Sequence, residues 1–98
     1  MILVTGSAAV KPQHIARAIE LSLEHVHRSR TEPGCISHAV HRDVEDEHRL
    51  VFVEQWADAA ALKAHFAVPE SRAFVGTLGA LCVSRPEMAI YEASVVKL

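Results

Sequence analysis

Apolar and polar residues alternate along four segments of the chain, a pattern typical of strands that bury one face. The clearest segment covers residues 49–56, and the others cover 2–10, 35–43 and 87–96. The polar loop 44–47 is short enough to join the second and third segments as a hairpin. The pattern therefore predicts four strands, two of them neighbours in the chain and in the sheet.

Two other stretches repeat their apolar residues at helical spacing. The first covers residues 12–30, and the Glu-Pro-Gly sequence at 32–34 ends it, because the residue before a proline avoids the helical region. Asp58 is a predicted N-cap for the second helix, which begins with three alanines. Pro69 interrupts that helix, and a second helical piece follows it.

The predicted element order is β-α-β-β-α-β in one domain, residues 1–98. Right-handed crossovers then give an α+β, ferredoxin-like fold, in which a four-stranded antiparallel sheet carries both helices on one face. The other face of the sheet is too apolar for water, since Val51 and Val53 belong to it. We therefore expect a homodimer in which the sheets of two copies pack face to face.

Composition excludes several classes of function. Half of the 98 residues are hydrophobic, and the net charge of −2 comes without a basic stripe, so we expect no nucleic-acid partner. No apolar run approaches the roughly 18 residues of a membrane span, and the N-terminal stretch is unlike a signal peptide. Cys35 and Cys82 lack the spacing of a metal or disulfide framework. We read the chain as cytoplasmic, with both thiols reduced.

Several short motifs occur in a fixed order along the chain: EPGC at residues 32–35, FVEQW at 52–56, AHF at 64–66, Pro69, and RAF at 72–74. With this order and spacing the chain resembles the antibiotic biosynthesis monooxygenase (ABM) domain family, which includes small quinol monooxygenases. The resemblance covers nearly the whole chain. It implies a dimeric α+β barrel of ferredoxin-like protomers, and oxygenation of electron-rich aromatics without metal or flavin.

Two departures from the family pattern bear on the chemistry. Many relatives carry a histidine soon after the proline, and here Pro69 is followed by Glu70 and Ser71. The haem-degrading relatives carry a histidine further along and an asparagine on the first strand. This chain has no histidine after Phe66 and no asparagine at all. Haem degradation is therefore the least favoured activity.

Oxygenation without a cofactor requires a substrate that gives up electrons once it is deprotonated, and so the protein must supply a dry pocket and a base. His65 is the best candidate base, because an imidazole titrates near neutral pH. Glu54 is a second catalytic candidate: a buried carboxylate needs a partner, which would be His65 or a helix end. The candidate substrate contacts are aromatic: Phe52, Trp56, Phe66 and Tyr91. For each of these residues, a purely structural role is the alternative.

The sequence predicts neither a metal site nor a bound cofactor. The seven histidines include no pair at the helical spacing of zinc ligands, and we read all of them except His65 as structural or surface residues. The function that these features favour is a cofactor-independent monooxygenase that oxidises a quinol or polyphenolic aromatic with O2. The alternative is a non-catalytic dimer that binds a small molecule.

Overall fold

The computed structural model describes all 98 residues, and its elements follow the predicted β-α-β-β-α-β order. The strands are β1 (Ile2–Ala9), β2 (Cys35–Arg42), β3 (Arg49–Trp56) and β4 (Glu87–Glu92). The helices are α1 (Ile15–Ser29), α2 (Ala59–Ala67) and α3 (Pro69–Ala80), and a 3-10 turn, Pro12–His14, precedes α1. The predicted first helix is thus a turn followed by an α-helix, and the predicted break at Pro69 separates α2 from α3.

The strands form one antiparallel sheet in the order β2-β3-β1-β4, which confirms the ferredoxin-like fold. The last strand is shorter than its predicted span, 87–96, because it ends at Glu92. It pairs only with β1, and Glu92 already faces Ile2, the first residue of β1. Ala93 still exchanges two hydrogen bonds with Met1, and residues 94–98 belong to no strand.

Local chemistry explains where the two later helices begin. The side chain of Asp58 accepts a hydrogen bond from the backbone N–H of Ala61 at 2.8 Å, which confirms the predicted N-cap of α2. The helix ends before Val68, whose backbone is extended, and Pro69 then occupies the first turn of α3. Proline is well suited to that position, since the N–H it lacks has no partner in a first turn.

All three helices lie on one face of the sheet, and the core lies between the two layers. One cluster of buried apolar residues is centred on Leu50 and Phe52, which pack with Ala18 of α1 and Leu78 of α3. A smaller cluster surrounds Trp56 at the other end of β3. Alternate residues of β3, from Leu50 to Trp56, are buried, as the two-residue period of a strand requires.

No element of the chain covers the opposite face of the sheet. Leu3, Val51 and Val53 lie on that face and remain partly exposed, and Tyr91, which pairs with Leu3, is half exposed. The face is open in the single chain and mixes these apolar residues with the polar Thr5, Ser7 and Gln55. No helix of the protein has both the length and the apolar character needed to cross a bilayer.

The turn that follows α1 depends on Gly34. This residue has φ of +81°, and a Cβ atom there would lie 2.5 Å from the Cβ of Ala61 in α2. Only glycine fits both the positive φ and the close approach. The EPGC turn therefore packs tightly against α2, and that contact brings Glu32 close to the site described below.

Candidate active site

A cavity of about 430 Å³ opens between the sheet and helix α3. Its floor includes Gly6 and Phe52 of the two central strands, and its apolar wall includes Phe66 and Phe74. Its polar lining includes three buried side chains, His25, Glu54 and His65, and two exposed arginines, Arg72 and Arg85. The cavity thus combines apolar walls with a few convergent polar groups, as small-molecule sites do.

His65 lies on α2 and reaches the cavity with its imidazole almost fully buried. Its Nδ1 atom lies 2.8 Å from Oε1 of Glu32 in the EPGC turn. Because a carboxylate only accepts hydrogen bonds, Nδ1 carries the hydrogen and donates it. The lone pair of the neutral ring is then on Nε2, which makes that nitrogen the basic one.

Glu32 is itself held in place by Arg28, one helical turn earlier. The guanidinium of Arg28 donates to Oε2 of Glu32 at 2.8 Å, to Oγ of Ser71 at 3.0 Å and to Nδ1 of His25 at 2.8 Å. These contacts join α1, the turn after it, and α3. The carboxylate that orients His65 therefore sits in a fixed, charge-compensated position.

Glu54 lies on β3 beneath the helices and is 5% exposed. The indole N–H of Trp56 donates to its Oε1 at 2.9 Å. His38 Nε2 is 3.2 Å from the same oxygen, but its alignment is too poor for a hydrogen bond. Burial opposes the ionisation of Glu54, yet the nearby His38 and the Trp56 hydrogen bond outweigh it and lower the pKa of Glu54. Glu54 is therefore a buried carboxylate.

Three histidines from three different elements meet at the inner end of the cavity. His25 of α1, His38 of β2 and His65 of α2 are all buried. Their ring centres are 5.2, 5.3 and 5.6 Å apart, and one nitrogen from each ring lies within 4.8 Å of the others. This histidine cluster is the one group of side chains in the protein with the composition and spacing to hold a metal ion.

The members of the histidine cluster differ in their surroundings. His25 stacks on Phe74 with ring centres 4.1 Å apart and planes 8° from parallel. Burial, followed by the neighbouring His38, His65 and Arg28, lowers the pKa of His25 from 6.5 to about 3, so that it stays neutral. His38 is 1% exposed, and neither of its ring nitrogens has a hydrogen-bond partner.

The structure brings together four of the six residues predicted for the site. His65, Glu54, Phe52 and Phe66 all line the cavity. Trp56 is fully buried and does not line the cavity. It contacts the two catalytic candidates instead: its ring centre is 4.6 Å from that of His65, and its indole bonds to Glu54. Tyr91 lies on the opposite face of the sheet.

The predicted partner of Glu54 was wrong in its detail. Glu54 pairs with Trp56 and approaches His38, whereas His65 pairs with Glu32. Sequence reasoning missed Glu32, His25 and His38 as members of the site. The EPGC motif already contained Glu32, but nothing in the spacing of the three histidines indicated that they would meet.

Comparisons with known proteins agree with this fold. The family model "Antibiotic biosynthesis monooxygenase" matches residues 1–77. An uncharacterised protein of Synechocystis sp. is 36% identical over 91 residues, which are 93% of this chain and 62% of that protein. The chain thus spans less than two thirds of the length of this relative.

Solved structures are similar over nearly the whole chain. A crystal structure of an antibiotic biosynthesis monooxygenase is 28% identical, with a TM-score of 0.89, and the match covers 97% of this chain and 100% of the other. A candidate antibiotic biosynthesis monooxygenase of Deinococcus radiodurans has a TM-score of 0.94 at 23% identity, covering 100% and 97%. A conserved protein of Methanosarcina mazei has a TM-score of 0.90 at 24% identity, covering 95% and 92%. The last two comparisons bear on the fold alone.

Proposed function

Because the chain belongs to the antibiotic biosynthesis monooxygenase family, we propose that it oxidises a quinol or polyphenolic aromatic with O2 in the cavity beside His65. The observation that carries the proposal is the Glu32–His65 pair at the cavity wall. A carboxylate on Nδ1 fixes the imidazole as a base at Nε2, and the buried surroundings keep water away from the reacting anion.

The proposed reaction begins when Nε2 of His65 takes a proton from a phenolic hydroxyl. The resulting phenolate gives up electrons to O2 much more readily than the phenol does. One oxygen atom is then added to the substrate and the other leaves as water, with all four electrons coming from the substrate. A quinol would become a hydroxyquinone in this way, without an external reductant, metal or flavin.

The cavity suits a flat, weakly acidic aromatic. Phe52 and Phe66 offer apolar walls for a ring, and aromatic pairs of this kind contribute about 0.5–1.5 kcal/mol beyond area burial. Arg72 and Arg85 line the same cavity together with Glu54 and Glu87, and either guanidinium can pair with a substrate phenolate. Trp56 acts indirectly in this account, because it holds Glu54 by a hydrogen bond behind the base.

The proposed enzyme is a homodimer. No helix of the same chain covers the sheet face on which Leu3, Val51 and Val53 lie among smaller polar residues. A second copy packed on this face would bury it and give the α+β barrel that the family resemblance implies. Analytical ultracentrifugation tests this: a mass of twice 10.7 kDa supports the dimer, and a monomer at micromolar concentration refutes it.

Oxygen uptake tests the activity. Metal-stripped, flavin-free protein is mixed with a panel of quinols and anthrone-like phenols while dissolved O2 is recorded. Protein-dependent uptake with an oxygenated product supports the proposal. A compound that raises the melting temperature yet is recovered unchanged would support the alternative, a dimer that only binds a small molecule.

A further inference from the structure

We propose that His25, His38 and His65 form a binding site for a divalent first-row transition metal ion, with Zn²⁺ as the probe. The inference does not rest on the proposed oxygenation. It rests on the geometry of three buried imidazoles and on a buried carboxylate beside them. Neutral imidazole is a preferred ligand for Zn²⁺, Co²⁺ and Ni²⁺, and three histidines with an open fourth position are an established arrangement for zinc.

The spacing of the rings fits a metal at their centre. With Zn–N bonds of about 2.1 Å, three imidazoles around a tetrahedral ion have ring centres roughly 5.2 Å apart. The observed separations are 5.2, 5.3 and 5.6 Å. The ligand nitrogens lie within 4.8 Å of one another, whereas nitrogens bound to one tetrahedral ion would be about 3.4 Å apart. Small side-chain rotations would therefore bring them to bonding distance.

His38 is the observation that points most directly to a ligand. It is 1% exposed, and both of its ring nitrogens lack a hydrogen-bond partner. A buried polar group without a partner costs about 1–3 kcal/mol, and such a cost is unusual in a folded protein. The deficit is larger at Nδ1, because Nε2 lies 3.2 Å from Oε1 of Glu54, and a metal ion bound to Nδ1 would remove it. One nitrogen of His38 lies within 4.8 Å of a nitrogen of each of the other two histidines.

The charges around the cluster also favour a cation. Oε1 of Glu54 lies 3.2 Å from Nε2 of His38, and the only hydrogen bond it accepts comes from Trp56. Glu32 accepts the Nδ1 hydrogen of His65, the outer-shell arrangement that orients metal-bound histidines. The two carboxylates and the Arg28 guanidinium, which pairs with Glu32, leave a net charge of −1 beside the cluster.

Access and the remaining coordination position come from the cavity. His25, His65 and Glu54 all line it, so that an ion can enter there and keep its fourth position open to water or to a small ligand. One contact opposes binding: Arg28 donates to Nδ1 of His25 at 2.8 Å. Coordination through Nε2 requires a hydrogen on Nδ1, so the Arg28 guanidinium must turn away from His25 and keep its bonds to Glu32 and Ser71.

Calorimetric titration of Zn²⁺ into chelator-treated protein tests the site, with Co²⁺ as a spectroscopic substitute. We expect one ion per chain and visible d–d bands of a low-symmetry Co²⁺ site. The His38→Gln variant should bind at least tenfold more weakly. The matched control is His27→Gln, which removes an exposed histidine two residues from His25 and should leave binding unchanged.

Imidazole NMR of the unmodified protein keeps the test decisive if His38→Gln does not fold. On addition of Zn²⁺, resonances of three of the seven histidines should shift together with one-to-one stoichiometry. Absence of such binding, or binding that is lost in His27→Gln and kept in His38→Gln, overturns the proposal. A metal on Nε2 of His65 would take the lone pair of the proposed base, so Zn²⁺ should inhibit oxygenation. Oxygenation is measured on metal-stripped protein, so a failure of metal binding does not bear on the proposed activity.

Discussion

Glu32 and His65 are 33 positions apart in the chain, yet the carboxylate of one lies 2.8 Å from Nδ1 of the other. The contact depends on Gly34, whose positive φ lets the EPGC turn pack against α2. It joins a motif that looks like a simple helix stop to the one histidine that sequence reasoning assigned to catalysis. The turn therefore positions the proposed base.

The Glu32→Gln variant should lower the oxidation rate at least about tenfold, because Gln can present its N–H₂ to His65 and favour the wrong tautomer. The comparison is between the pH–rate profiles of the variant and of Glu24→Gln, which changes an exposed carboxylate on α1, the helix that precedes the turn. A rate and a profile equal to those of the unmodified protein would mean that Glu32 does not position the base.

Loss of the Trp56 indole N–H should destabilise the fold. In Trp56→Phe, Glu54 remains buried without its hydrogen-bond donor, which we expect to cost about 1–3 kcal/mol of unfolding free energy in addition to the lost packing. Urea denaturation measures this loss of unfolding free energy. The double variant with Glu54→Leu should recover part of the loss, since no buried charge is then left without its donor. Strict additivity of the two changes would contradict this coupling.

A valine side chain at position 6 should occupy part of the cavity and so block a ligand. Gly6 lies on its floor, and a Cβ there would meet Glu87 O at 3.4 Å and Phe52 Cβ at 3.7 Å, so the backbone itself tolerates one. We expect Gly6→Val to fold and to lose the thermal stabilisation that a cavity ligand gives. Thr5→Val, which faces the other side of the sheet, should keep it. If the ligand raises the melting temperature of both variants equally, it binds outside this cavity.

The metal-free protein should lose stability as pH falls from about 6.5 toward 3. The folded state keeps His25 neutral down to a pKa of about 3, whereas the unfolded chain takes up a proton near 6.5, so acid favours unfolding. The lowered pKa of Glu54 acts in the same direction. Each pH unit costs up to about 1.4 kcal/mol from His25 alone. Guanidinium melts at several pH values should show a shallower loss for His25→Gln, and an unchanged slope would contradict the assignment.

The fold was predictable because its signals are local. Strand periodicity, the Asp58 cap and the break at Pro69 each act over a few residues, and the structure has all three. The last strand was overestimated because its end depends on its pairing with β1, which stops where Glu92 faces Ile2. Tertiary structure sets this limit, so the hydrophobic pattern of residues 93–96 cannot predict it.

The site was only half predictable because its contacts are long-range. His65 and Glu54 could be assigned from residue type and predicted burial, and both line the cavity. His25, His38 and Glu32 come from other elements, and the spacing rules for metal ligands apply within one element. The α1 pattern left His25 unassigned, although it lies on the face of the helix that packs against the sheet and α3.

The most direct measurement is O2 uptake by metal-stripped protein with the best quinol or phenol of the panel, comparing the unmodified chain with His65→Gln and His27→Gln. We expect uptake that falls by roughly 10²-fold or more in His65→Gln and is unchanged in His27→Gln. Uptake that is equal in all three proteins, or absent from all three across the panel, would contradict it.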